Sequence, residues 1–100
     1  MTKIEINKRG RHYSIEAINH AGTSRVCAAV SALLCTLEGA LTNNSSARNL
    51  VTQKGPAYYA IDCDAMGRTV REDWRFLTIG LLQIEKANPG EIAVAQNIFL

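Results

Sequence analysis

From Val26 to Leu41 the chain carries no proline and is rich in alanine and leucine, with apolar residues spread too widely for a single stripe. A run of that kind folds as a helix buried on more than one side. Thr23 or Ser24 just before it offers a side-chain oxygen as cap. The flanking segments read differently. Thr2 to Ile6 alternates, with Ile4 and Ile6 on one face, and Tyr13, Ile15 and Ala17 alternate again in a strand that ends near Ile18. Asn7-Lys8-Arg9-Gly10-Arg11 supplies the turn of a hairpin between them.

After the polar connector Thr42–Ser46, Ala47–Gln53 and Ala57–Cys63 read as two further strands about the turn Lys54-Gly55-Pro56. Thr69-Val70-Arg71-Glu72 has the spacing of a capping box and predicts the start of a second helix. Val70, Trp74, Leu77, Leu81 and Ile84 then recur at helical spacing, so Trp74 and Phe76 are expected to pack rather than to stack on a ligand. Asn88-Pro89-Gly90 stops this helix, and Glu91 to Phe99 alternates weakly as a last strand. The order is ββαββαβ. It predicts a single mixed α/β (α+β) domain over residues 1–100, a size at which 47% hydrophobic residues make a modest core.

Several function classes are excluded at this level. No apolar stretch reaches the roughly 20 residues of a membrane span, and Met1-Thr2-Lys3-Ile4-Glu5 lacks the apolar centre of a secretory signal, so a cytoplasmic location with no membrane partner is expected. Cys27, Cys35 and Cys63 form neither an even disulfide set nor a Cys-x-x-Cys pair. No metal and no cofactor are therefore expected, although His12 and His20 are available to join Cys27. Cys35 is read as core and Cys63 as packing at a strand end. A net charge of +2 does not call for nucleic acid, although Lys3, Lys8, Arg9 and Arg11 make the first hairpin basic. The apolar first helix, in so small a domain, predicts a homodimer.

Cys27 falls in the first turn of the first helix. Backbone N–H groups there lack intrahelical partners and the macrodipole is positive, which favours a thiolate, the nucleophilic form. His20 lies in the preceding loop, within reach of the sulfur, as a proton acceptor that can later act as general acid. Gly22 gives that loop conformational freedom. Ser31 is one turn beyond Cys27 on the same face and can orient the site.

The string His20-Ala21-Gly22, followed after a short gap by Val26-Cys27-Ala28-Ala29-Val30-Ser31-Ala32-Leu33, resembles the ribosomal-processing cysteine protease family, Prp or YsxB-like. The resemblance extends through most of the chain. It implies a central sheet with a helix on each face, a dimer, and a catalytic dyad of His20 and Cys27 with Ser31 in support. The Cys27 and Ala28 backbone N–H groups are the expected oxyanion donors. Asn19 stands where the family usually has glycine, Ser24 where it usually has aspartate, and the gap is shorter, so Asn19 or Ser31 is left to hold the imidazole. The implied substrate is an N-terminal extension on protein twenty-seven of the large bacterial ribosomal subunit, or a similar segment of a phage structural protein. The alternative is a non-catalytic module that binds ribosomal protein, RNA or a virion component through the basic hairpin and the groove beside His20.

Overall fold

The computed structural model describes residues 1–19 and 24–99, the side chains of Ser24 and Phe99 excepted. Its elements are β1 (Thr2–Arg9), β2 (His12–Ile18), α1 (Ser24–Thr42), β3 (Ala47–Gly55), β4 (Tyr58–Ala65), α2 (Arg68–Ala87) and β5 (Ile92–Phe99). The expected order and the mixed α+β class are both present. One five-stranded sheet runs β3-β4-β2-β1-β5, antiparallel except for the parallel pair of β1 with β5.

Alternation along the strands decides where the helices sit. Thr2, Ile4 and Ile6 of β1, Ile15 and Ala17 of β2, and Ile61, Cys63 and Ala65 of β4 are buried on one face. The intervening Glu5, Glu16, Asp62 and Asp64 belong to the other, and carboxylates there leave nothing for a helix to cover. The helix expected on each face is accordingly not found, since α1 and α2 are in contact with each other on the apolar face. Handedness leads to the same arrangement. The crossovers β2-α1-β3 and β4-α2-β5 leave strands of opposite direction and travel in opposite directions across the sheet, so a common right hand puts both helices on one side. The helices approach closely at Gly80, where a Cβ would lie 3.1 Å from Leu33 Cδ1.

Val26, Val30, Leu34, Leu37 and Leu41 form a single buried stripe on α1, each contributing about 1.5–3 kcal/mol when fully removed from water. Ala28, Ala32 and Cys35 are exposed, so the helix is not buried all round, and Cys35 is not core. By length and mean hydropathy (1.4 over Arg25–Thr42) α1 is apolar enough to cross a membrane, contrary to the expectation from sequence; here its stripe packs into the shared core. On α2, Val70, Trp74, Leu77 and Leu81 are buried as expected. Trp74 stacks on Tyr13 at 5.5 Å between ring centroids and donates its Nε1–H to Cys63 Sγ at 3.4 Å. Cys63 is third from the end of β4 and fully buried, and burial pushes its thiol pKa up. Phe76, two residues from Trp74, falls off the stripe and is 68% exposed.

The capping box does not form. The helix already begins at Arg68 with Gly67 as its cap and no side-chain cap bond. Thr69 Oγ1 instead accepts from Asn44 Nδ2 at 2.9 Å, tying the α1–β3 connector to α2.

Candidate functional site

Asn19 ends β2 in a conformation shaped by three elements. Its φ is 71°, in the left-handed region that asparagine tolerates better than most residues. Its N–H donates to the Ala57 carbonyl at 2.8 Å, and its carbonyl accepts from Thr2 Oγ1 at 3.1 Å. Ala57, in the turn between β3 and β4, is itself left-handed at φ 56°, a strain of order 1–3 kcal/mol. The start of β1, the end of β2 and the tip of the β3–β4 hairpin are therefore locked together at the residue before His20. His20, Gly22 and the rest of residues 20–23 lie outside the described residues.

Above this junction is a groove of about 240 Å³. Cys27, Val30, Ser31 and Leu34 of α1 form one wall. Lys54, Gly55, Ala57, Tyr58 and Tyr59 of the hairpin form the opposite wall, and Thr2, Ala17 and Asn19 lie along the sheet end between them. Cys27, fourth residue of the helix, is half-buried, and Ser31 is exposed. Their common face follows from a separation of one turn. Of the residues singled out in sequence, Asn19, Cys27 and Ser31 are thus brought to one concavity. Ser24 is the first residue of α1, with its side chain outside the description. Ala28 is exposed, and a helix that starts at Ser24 directs the Ala28 N–H to the Ser24 carbonyl by the i→i−4 rule, so Ala28 is a poor oxyanion donor.

His12 cannot join Cys27 around a metal. It sits at the opposite end of β2 from Asn19, with Nδ1 2.8 Å from Asp64 Oδ1, and Asn49 Nδ2 donates to the same carboxylate at 2.8 Å. The Asn49 bond first, and His12 after it, hold the Asp64 carboxyl below its ordinary pKa. Among the described residues no group of three or more His, Cys, Asp or Glu is placed to hold a metal ion.

The hairpin wall went unread in the sequence, where Tyr58 and Tyr59 registered only as strand formers. Tyr58 OH donates to Glu16 at 3.0 Å on the outer face of the sheet. Tyr59 OH donates to Glu38 Oε1 of α1 and lies 3.8 Å from Cys35 Sγ. Lys54 Nζ is 3.3 Å from the same Glu38 oxygen and 4.9 Å from the centroid of the Tyr59 ring. The Tyr59 bond, aided by Lys54, lowers the Glu38 pKa against a burial effect of opposite sign. Burial, followed by the Glu38 bond, raises that of the Tyr59 phenol. The sequence signal available was weak: a glutamate at helical spacing from Cys27 and Ser31, and a lysine beside the turn.

No protein-family model matches the sequence, and no curated protein matches it. Solved structures do. The ribosomal processing protease Prp of Staphylococcus aureus, in complex with a substrate peptide, superposes with a TM-score of 0.84 at 17% identity, over 97% of this chain and 100% of that one. Prp with a covalently linked product peptide gives 0.80 at 18% identity, with coverage of 97% and 100%. SMU.848 of Streptococcus mutans gives 0.76 at 21% identity, over 98% of this chain and 95% of that one. The resemblance expected from the residues is met along the whole fold, at low sequence identity.

Proposed function

We propose that the chain is a cysteine endopeptidase, a cytoplasmic homodimer that removes an N-terminal extension from ribosomal protein twenty-seven of the large subunit or from a similarly extended phage structural protein. The observation that carries this reading is the position of Cys27, in the first turn of α1 and opening onto a groove whose floor ends at Asn19. The shared fold of a protease that holds peptides supports it.

In this mechanism His20 takes the proton of the Cys27 thiol, and the sulfur attacks the scissile carbonyl carbon. The resulting oxyanion lies at the start of α1, where the helix dipole is positive, with the Asn19 carboxamide and Ser31 hydroxyl lining the same groove as polar partners for imidazole and substrate. Collapse breaks the C–N bond, the amine leaves with the proton held by His20, and a thioester remains. Water, deprotonated by His20, then attacks the thioester carbonyl. The acid product departs and the thiol is restored.

The test combines cleavage and labelling. A peptide carrying the ribosomal extension is expected to be cut by the parent and not by Cys27→Ala. Iodoacetamide is expected to alkylate Cys27 at least about tenfold faster than exposed Cys35, with buried Cys63 slowest. No cleavage, with Cys27 and Cys35 labelled at equal slow rates, refutes the enzyme and favours the non-catalytic binding module.

A further inference from the structure

The wall of the groove that faces Cys27 is carried in part by β3, none of whose residues is fully buried. β3 is an edge strand, and from Val51 through Pro56 every residue is exposed. Gly55 has nothing within 4 Å of where a Cβ would stand. The Glu38 carboxylate joins this tip to α1. Lys54 and Tyr59 are direct partners across the β3–β4 ladder, and both reach Glu38, which therefore grips the two arms of the hairpin at matched positions. The Lys54 ammonium over the Tyr59 ring adds a third contact within the same group. Along α1, Cys27, Ser31 and Leu34 line the groove and Glu38 follows one turn later, behind Lys54 and Tyr59.

We propose that Glu38, Lys54 and Tyr59 form a clamp that fixes the hairpin wall against α1 and closes the groove at the end away from Cys27. They are specificity-determining positioning residues for a peptide laid along the helix. This rests on the proteolytic reading above. At about 1.5 Å of rise per residue, the eleven positions from Cys27 to Glu38 span about 16 Å. An extended chain at about 3.3 Å per residue places some five residues in that length. Substrate residues beyond the fifth on the clamped side of the scissile bond then add nothing to binding. The clamp acts on the fit of the substrate and not on the bond-breaking step, because Glu38, which holds it together, stands eleven residues, or about three turns, along α1 from Cys27.

The substitutions separate the contacts. Glu38→Ala removes both partners' acceptor, Glu38→Gln keeps an acceptor for Tyr59, and Lys54→Met removes the ammonium from the carboxylate and from the Tyr59 ring. Binding of a fluorescein-labelled peptide with the ribosomal extension is measured by anisotropy in the Cys27→Ala background, and KM and kcat in the active chain. Glu38→Ala is expected to raise Kd and KM by about tenfold with kcat within about twofold. Glu38→Gln should restore both to within about threefold of the parent, and Lys54→Met added to Glu38→Ala should cost no more than about 1.5-fold further, since the two share one contact. Unchanged KM in a folded Glu38→Ala variant, a loss confined to kcat, or multiplying effects in the double variant would overturn the clamp.

A second measurement needs no substrate. The ratio of Cys27 labelling by bulky fluorescein maleimide to labelling by iodoacetamide, read by peptide mapping, should rise at least about fivefold in Glu38→Ala as the wall loosens on its α1 side. A constant ratio refutes the clamp. If the parent neither binds nor cuts the peptide, it is the proposed function that fails, and the labelling ratio still decides the clamp.

Discussion

Thr2→Val tests how the residue before His20 is held, and its expected effect can be worked from the contacts. Thr2 is 4% exposed and its hydroxyl donates to the Asn19 carbonyl at 3.1 Å. Valine keeps the shape and β-branching of threonine, so the strand is not disturbed. A net hydrogen bond contributes about 1 kcal/mol. Asn19 is exposed, so water can replace the lost donor without the full penalty of a buried orphan. The added methyl group, worth up to about 0.8 kcal/mol on burial, offsets much of the loss. Stability should therefore change by less than about 1 kcal/mol, or by less than about 4–8 °C in Tm for a domain of this size. The consequence for the site is larger. Asn19 keeps its left-handed φ through two tethers, and removing one weakens the hold by about 1 kcal/mol, which reduces the competent population and kcat/KM by about fivefold. Thermal unfolding and steady-state cleavage of the ribosomal peptide are measured together, with Thr2→Ser as the variant that retains the hydroxyl and the rate. If Thr2→Val unfolds normally and keeps kcat/KM within about 1.5-fold of the parent, the tether does not present His20 and the reasoning is wrong.

Cys27→Ala should abolish cleavage while circular dichroism stays unchanged, because alanine favours the helix; residual cutting would remove Cys27 as nucleophile. Ser31→Ala should lower turnover by about tenfold, or about 1.4 kcal/mol, whereas Ser24→Asp should be neutral or improve it. Loss of activity in a folded Ser24→Asp variant would overturn the matching of the loop to the family motif. Sedimentation at micromolar concentration should give a dimer, and a clean monomer would end that proposal. The Asp64 carboxyl, held below its ordinary range by Asn49 and then His12, adds stability that is complete above the unfolded value and is lost as pH falls through the folded one. Asp64→Asn should therefore lessen the drop in Tm between about pH 5 and about pH 2, and an undiminished drop would refute the assignment.

The elements were legible because each announced itself locally: alternation in β1 and β2, the uninterrupted apolar run of α1, and the Val70-Trp74-Leu77-Leu81 stripe of α2. The shared helix face could also have been read. Glu5, Glu16, Asp62 and Asp64 alternate with the buried residues, and a sheet with one apolar face accepts one layer of helices. What stayed hidden depends on pairing across the fold. Phe76 and Trp74 are two residues apart and so point some 200° apart around a helix, a distinction that apolar content alone does not make. Thr69 fits a capping box by spacing, yet the chain turns helical one residue earlier, and its hydroxyl is taken by Asn44. Cys35 looked like core by type, and only the hairpin carrying Tyr59 shows which side of α1 it occupies. At the site, Cys27 and Ser31 are linked by one helical turn and were found, whereas Thr2, Lys54 and Tyr59 reach it through strand order and register.

The parallel pairing of β1 with β5 also sets when the site can exist. Thr2 lies opposite Ile92 and its N–H donates to the Glu91 carbonyl at 3.1 Å, so the residue that tethers Asn19 is itself fixed by β5, which is synthesised after both helices. Cys27 leaves the ribosome early, and α1 can form on its own residues. The floor of the groove cannot be completed until Ile92 and the rest of β5 have emerged and docked on β1, a contact of long sequence separation that is slow to close. A growing polypeptide therefore carries the Cys27 thiol without an assembled groove, and the groove is complete only with β5.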